Sequence, residues 1–392
     1  MKKRLLLLLT LPLLLTPGLT SCSTNNDTKS DLLITEIIEG SGSNRAVEIY
    51  NKSNKTISLD GYSLGFYVGG SEEVSFSINL EGEVAPNSTY VAVHTDADEE
   101  LTSIANLVRN KVMFSVAEQI SLLRNNKIID IVGELGYRSS FNEDITLVRK
   151  TNYFISRKNW VEYDWIRYST DNFKYIGNVT NSVTPEEMEQ GPRLNEEYNS
   201  LPFVDPNSDN TGGGGYTNVM LYEGVDGDTA KFYYPEVPSI DRGTKVRFLN
   251  INTPESYAQN VMAWGIPAKF WTTDRLEEAT SIKLQSIKSG LLRDTYERVL
   301  AWVWTDGELL NYKIVKNGFS EISFESDDTQ FYKDISYGNW LYDAQLYAKM
   351  HKKAIWGEKD PYWDYKNNVS TYEEKFEIWL IVKLLIIRLL SW

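Results

Sequence analysis

Three short segments hold the side chains best suited to chemistry on an anionic ester. "VDGDT" (225–229) sets Asp226 and Asp228 around a glycine, and "VRFLNINTPES" (246–256) supplies Arg247, Asn252, Thr253 and Glu255. "RDTYERVLAW" (293–302) adds Arg298. Attack of water on a phosphodiester needs the ester's charge neutralised and the water deprotonated. The planar, permanently charged fork of arginine meets a phosphate through two parallel hydrogen bonds. Carboxylate, amide and main-chain oxygens suit a hard cation such as calcium. A hairpin turn at Asp-Gly-Asp is expected to bring both carboxylates to one side of the ribbon. Each residue alone has an ordinary explanation. Arg247 is a solvent-facing strand position, Arg298 a salt-bridge partner of Glu297, and Thr-Pro-Glu a turn. The combined spacing favours a site.

Bulk properties narrow the alternatives. The 392 residues suit two domains, and 42% hydrophobic with 24% charged residues supports packed cores. Only two histidines, His94 and His351, are present, which argues against histidine-based nucleases, zinc sites and Ser-His-Asp hydrolases. "MKKR" followed by "LLLLLTLPLLL" reads as an export signal over residues 1–22. It ends in Leu19-Thr20-Ser21-Cys22, and Cys22 is the chain's one cysteine, without a disulfide partner. That pattern resembles a bacterial lipobox, which implies lipidation at Cys22 and a protein held on the outer face of the cell membrane by an N-terminal lipid anchor. Residues 23–31 then form a polar tether. Removing Lys2, Lys3 and Arg4 from 40 basic residues, against 54 acidic ones, takes the net charge to −17. Such a field is poor for attracting nucleic acid, so phosphate chemistry requires a local constellation or a bound cation.

The elements that must position these residues differ between the two halves. From 32 to 178, short alternating runs such as "LLITEII", "AVEIYN", "QISLLRNN" and "ITLVRK" are separated by turn residues, which predicts a β-sandwich. Leu59 and Leu64 are expected to point inward around the Asp60-Gly61 turn, and no cluster of titratable groups stands out. Residues 179–215, acidic and running into "DNTGGGGYT" (209–217), read as a linker. From 216 to 357 strands alternate with helical stretches. In "AKFWTTDRLEEA" the apolar Phe270, Trp271 and Leu276 fall near helical spacing, as expected of core packing.

The first half resembles the lamin-tail domain family, an immunoglobulin-like sandwich, through "ITEIIEG", "AVEIYNKSNKTISLDGYSL", "EVAPNSTYVAV", "ISLLRNNKIIDIVG" and "ITLVRK". The second resembles the staphylococcal-nuclease-like (thermonuclease) family through "VDGDTAKFYY", "GTKVRFLNINTPES", "GIPAKFW", "RDTYERVLAWVWTDGELLNYKIVKNGFSEI" and "AQLYAKMHKKAIWG". The resemblance implies a mainly β, two-domain chain. A lamin-tail-like sandwich is followed by an α+β OB-fold barrel with packed helices, and the barrel hydrolyses phosphodiesters with calcium. It also implies that Asp228 and Asn252 give the ion side-chain oxygens and Thr253 a main-chain carbonyl, with Asp226 a further oxygen. Glu255 would activate the attacking water, while Arg247 and Arg298 hold the phosphate. Asn311 and Trp356 match as structural residues, and Tyr296 and Asp294 as shapers of the loop before Arg298. Two departures stand out. Asn252 replaces the family's usual Asp, removing one negative charge, and Glu297 replaces a usual Gly, placing a carboxylate beside Arg298.

The reading is a surface-anchored, calcium-dependent nuclease of DNA and RNA that prefers single strands, with the lamin-tail-like domain as a binding or spacing module. The rival is a catalytically weak or inactive nucleic-acid-binding or adhesion lipoprotein on the same folds, and Asn252 and Glu297 discriminate the two. The tail from 358 ends in "FEIWLIVKLLIIRLLSW", 376–392, interrupted by Lys383 and Arg388 and short for a membrane span. It reads as an interfacial helix or a shifted frame.

Overall fold

A computed structural model describes residues 30–372 apart from 116–117, 139–142, 209, 258–259 and 324–329. The lipobox with Cys22 and the apolar tail from Phe376 lie outside the described residues. The alternating runs form two sheets. One orders β10 (Trp165–Tyr168), β9 (Ile145–Arg149), β1 (Leu32–Glu39), β2 (Arg45–Asn51), β5 (Ser88–Val93) and β6 (Leu107–Val108). The other orders β8 (Lys127–Val132), β7 (Gln119–Arg124), β3 (Tyr62–Tyr67) and β4 (Phe76–Asn79). Leu32, Ile34, Val47, Leu59, Leu64, Phe66 and Ile120 fill the space between them. The hairpin from β7 to β8 turns on Asn125 and Asn126, both at positive φ (49° and 60°), a conformation asparagine tolerates. Asn51 holds the following loop by donating to the carbonyls of Lys55, Val84 and Ala85.

The second domain is a closed barrel. β11 (Tyr216–Asp226), β12 (Thr229–Tyr233) and β13 (Thr244–Phe248) run antiparallel, and β11 continues to β14 (Ile282–Gln285) and β15 (Val299–Thr305). Parallel pairing of Val246 with Val299 and Arg247 with Leu300 joins β13 to β15 and closes the ring. Closure leaves Ala230, Phe232, Val246, Phe248, Leu284, Ala301 and Val303 inside and their alternate neighbours outside. Helices α2 (Gly265–Glu278), α3 (Leu310–Lys316) and α4 (Tyr337–Met350) pack on the barrel. In α2, Leu276 is buried and Trp271 half-buried, but Phe270 faces outward, 40% exposed and stacked on Tyr372 at 4.7 Å. The core expectation fails there because Phe270 has a surface aromatic partner.

Residues 179–215 are not a loose connector. α1 (Pro185–Gln190) begins with a reciprocal cap in which Thr184 Oγ1 accepts from Glu187 N and the Glu187 carboxylate accepts from Thr184 N. Its Met188 carbonyl accepts from the buried Tyr312 hydroxyl at 2.6 Å, and Phe203 joins the barrel core. The glycine run serves close approach rather than flexibility. A Cβ on Gly215 would stand 1.8 Å from the Leu201 carbonyl oxygen, and one on Gly213 2.2 Å from that of Pro202. The two domains also share apolar packing, since Val148, Ile166, Tyr168 and Tyr175 belong to the same cluster as Tyr312 and Trp340. Beside it Lys150 Nζ donates to the Tyr163 carbonyl at 2.6 Å and pairs with Asp343 at 2.5 Å.

Candidate functional site

The site grows from the turn between β11 and β12. Gly227 has no side chain because Thr253 lies against it, and a Cβ there would meet Thr253 Oγ1 at 2.7 Å. The Gly227 carbonyl accepts from Thr272 Oγ1 of α2 at 2.8 Å, so the helix pins the turn. Asp228 is thereby buried at 6% exposure. Its Oδ2 accepts from the Thr253 amide at 2.9 Å and the Thr253 hydroxyl at 3.2 Å, and its Oδ1 from Thr229 Oγ1 at 3.0 Å.

Arg247 projects from near the end of β13, opposite Thr229 of β12. Its guanidinium is ion-paired with Asp228 Oδ2, and its Nη2 donates to Asn252 Oδ1 at 2.9 Å. A single cation thus joins two of the oxygens expected to hold a metal. Asn252 is exposed, and its main-chain N–H donates to the buried Ser320 Oγ at 2.8 Å. Glu255 lies three residues on, also exposed. Its carbonyl accepts from Met262 N at 2.9 Å and presses on Gly265, where a Cβ would fall 2.0 Å from that oxygen. Residue 265 must therefore be glycine for α2 to start against the Thr-Pro-Glu turn.

Asp226 is half-buried, and its Oδ1 accepts from Gly227 N at 2.8 Å. Burial pushes its carboxyl up to about 6, and the neighbouring carboxylates of Asp228 and Glu255 push in the same direction.

Arg298 approaches from the adjoining strand. Arg247 pairs in register with Leu300, so Arg298, two residues earlier, lies on the same outer side of the barrel. Its Nε and Nη2 both donate to Asp294 Oδ2 at 2.7 Å, and its amide to Asp294 Oδ1 at 2.9 Å. Its guanidinium stands 5.5 Å from the ring of Tyr296, which is 79% exposed. The salt-bridge partner is therefore Asp294 and not the adjacent Glu297. Glu297 sits at φ 59°, with its amide donating to the Asp294 carbonyl and its own carbonyl accepting from Arg293. That left-handed backbone accounts for a glycine preference at this position.

Asn311 is fully buried, accepting from Val303 N at 2.9 Å and donating to the Leu249 carbonyl at 2.8 Å, a role internal to the barrel. Thr272, Gly265, Asp294 and Ser320 support the site from distant or neutral positions. The resemblance had named Asp294, whereas Gly265 and Ser320 stand inside the quoted motifs, and Thr272 just after one, with nothing in their type to mark a role.

Among the described residues no three His, Cys, Asp or Glu side chains form a metal-binding group. The oxygen set nevertheless fits a hard cation in kind. It comprises the Asp226 and Asp228 carboxylates, the Asn252 amide oxygen and the Thr253 carbonyl, and two of these already meet on the guanidinium of Arg247.

Comparison with known proteins bears on the domains that hold these residues. Residues 25–136 match the family model of the Lamin Tail Domain, and residues 245–358 that of the Staphylococcal nuclease homologue. The second span contains Arg247, Asn252, Thr253, Glu255 and Arg298, whereas Asp226 and Asp228 lie before it. Endonuclease YncB of Bacillus subtilis (strain 168) is 32% identical over 146 residues, 36% of this chain and 62% of the relative. The SPbeta prophage-derived endonuclease YokF of the same organism is 33% identical over 144 residues, 36% of this chain and 44% of the relative. Thermonuclease of Staphylococcus hyicus is 28% identical over 134 residues, covering 34% and 71%. The match thus spans less than two thirds of either Bacillus protein. The chain carries a lamin tail domain followed by a staphylococcal-nuclease-like domain.

Proposed function

We propose that the chain is a calcium-dependent nuclease that hydrolyses phosphodiester bonds of DNA and RNA and favours single strands. The observation that carries this reading is the meeting of Asp228, Arg247 and Asn252 at a rim where Glu255 and Asn252 are exposed. Relatives named endonuclease and thermonuclease support it.

Asp228, Asn252 and the Thr253 carbonyl hold the cation, with Asp226 beside them. Once bound, calcium neutralises charge on the phosphate and makes a water easier to deprotonate. Arg247 exchanges the Asp228 carboxylate for a phosphate oxygen. Asp294 fixes the Arg298 fork by two bonds to one carboxylate oxygen, which orients its remaining donor nitrogen. Glu255 accepts the proton of the attacking water as general base. Asn252, lacking a charge, weakens calcium binding rather than removing a catalytic group.

The lipobox ending in Cys22 supports export and anchoring on the outer face of the membrane. The lamin tail domain serves as a binding or spacing module with a partner of its own. The test is cleavage of denatured DNA and of RNA by the purified chain. Activity should appear with calcium and stop on chelation. Equal cleavage in chelator would refute the metal assignment, and no cleavage with any divalent ion would favour a binding protein on the same fold.

A further inference from the structure

The outer face that carries Arg247 continues away from the site. Side chains alternate along a strand, so Lys245 shares that face of β13. On β12, Lys231 lies opposite Lys245 and Thr229 opposite Arg247. Beyond Lys231 the same face presents Tyr233, which pairs in register with Met220 of β11. Tyr222 of β11 is 50% exposed, and its ring meets that of Tyr233 edge to face at 5.0 Å. Arg242, from the hairpin between β12 and β13, lies over Tyr233 at 4.4 Å and donates to its hydroxyl at 2.9 Å.

This arrangement is unusual for the molecule. The whole chain carries a net charge of −14, yet here Asp228 is ion-paired with Arg247 and Glu223 with Lys231, the latter at 2.6 Å. The Glu223 carboxyl is held below the usual range by Lys231 first, with Lys269 and Lys245 acting in the same direction. Arg247, Lys245, Lys231 and Arg242 thus place four basic side chains along this face. Two of the basic side chains, Lys245 and Arg242, are exposed. Neither the fold nor the catalytic chemistry requires tyrosines and cations to alternate across an open sheet face.

We infer that this face is a track for single-stranded nucleic acid, running from Arg247 past Lys245 and Lys231 to the Tyr222–Tyr233–Arg242 cluster. The track holds the strand on one side of the cleaved bond. It rests on the nuclease reading above. Cations follow the backbone and exposed rings stack on bases, the two devices by which sequence-tolerant single-strand binding is built. Charge complementarity and continuity with the phosphate-binding arginine select a polyanion with planar bases over a protein partner.

The experiment uses the full chain with Glu255→Gln, expected to slow cleavage enough for an equilibrium titration, in calcium. Fluorescein-labelled oligothymidylates of three and twelve nucleotides are titrated and followed by fluorescence anisotropy. The longer probe should bind at least about tenfold more tightly, and Tyr222→Ala combined with Tyr233→Ala should erase most of that advantage. Lys245→Glu should do the same and should also flatten the salt dependence by roughly 0.7 in slope for the lost cation. Lys245 is exposed, so this second variant keeps the test valid if the tyrosine variant fails to fold. If the length advantage and the salt slope survive both changes, the track is wrong and the nuclease reading stands. If neither probe binds the parent chain, both are wrong.

Discussion

Each domain holds an arginine–aspartate pair, and the two differ in what surrounds them. In the sandwich, Arg149 and Asp130 pair at 2.8 Å with side chains 1% and 0% exposed. Asp130 also accepts from the amides of Ile34 and Arg157, while Arg149 donates to the Ile155 carbonyl and lies 4.6 Å from the Trp165 ring. In the barrel, Arg247 and Asp228 are 12% and 9% exposed, and the same arginine reaches an exposed amide beside an exposed Glu255. The first pair is enclosed by the protein on every side. The second opens on a rim where the arginine meets one carboxylate and one exposed side-chain amide. Residue type is the same in both, so access and local charge imbalance separate a structural pair from a reactive one.

The contrast breaks most readily at the arginines. Arg149→Ala leaves Asp130 buried without its cation, and should cost about 3–5 kcal/mol in urea unfolding. Arg247→Ala should cost less stability, because Asp228 keeps its Thr229 and Thr253 donors and lies near solvent. Its turnover should instead fall about 10²–10³-fold through the lost phosphate donor. Equal stability losses with unaltered turnover would show that the two pairs do one job.

A second contrast lies in the carboxylates. Glu48 pairs across strands with the fully buried Glu36. It accepts from the Thr35 hydroxyl at 2.6 Å and the Gly177 amide at 2.6 Å. Burial pushes its carboxyl up to about 7, and Glu36 rises well above the ordinary range through burial and its neighbour Glu48. A folded-state value above the unfolded one stabilises at low pH, and that stability is lost as pH rises through about 7. Urea midpoints measured across this window should therefore decline toward alkaline pH. Glu48→Gln should flatten the decline, and an unchanged slope would remove Glu48 as its source.

The smallest effect is expected at Asn252. Asn252→Asp adds a full charge to the oxygen set and should tighten calcium binding severalfold by calorimetry. Unmoved affinity would place the ion elsewhere.

Much of this was legible beforehand. Alternation with Asn-Asn and Asp-Gly turns carried the sandwich, and the order of motifs carried the barrel. The meeting of Asp228, Arg247 and Asn252 joins residues of two quoted motifs around one turn and the strand that answers it. What escaped was long-range or depended on backbone angle. The Lys150–Asp343 pair joins residues 193 positions apart, so no local pattern announces it. The glycine run at 212–215 looked flexible because composition cannot show that Leu201 and Pro202 press against it. The sandwich's buried Glu36, Glu48 and Asp130 were invisible because each sits in an otherwise ordinary alternating strand. Arg298's choice of Asp294 over Glu297 follows from a left-handed residue that only coordinates reveal.

The most direct test of the account is single-turnover cleavage of a single-stranded oligonucleotide in calcium by the parent chain and by Glu255→Gln. Losing the general base should slow cleavage about 10²–10⁴-fold, with binding of the same oligonucleotide preserved. Cleavage by Glu255→Gln at the parent's rate would contradict the account, reducing Thr253-Pro254-Glu255 to a turn.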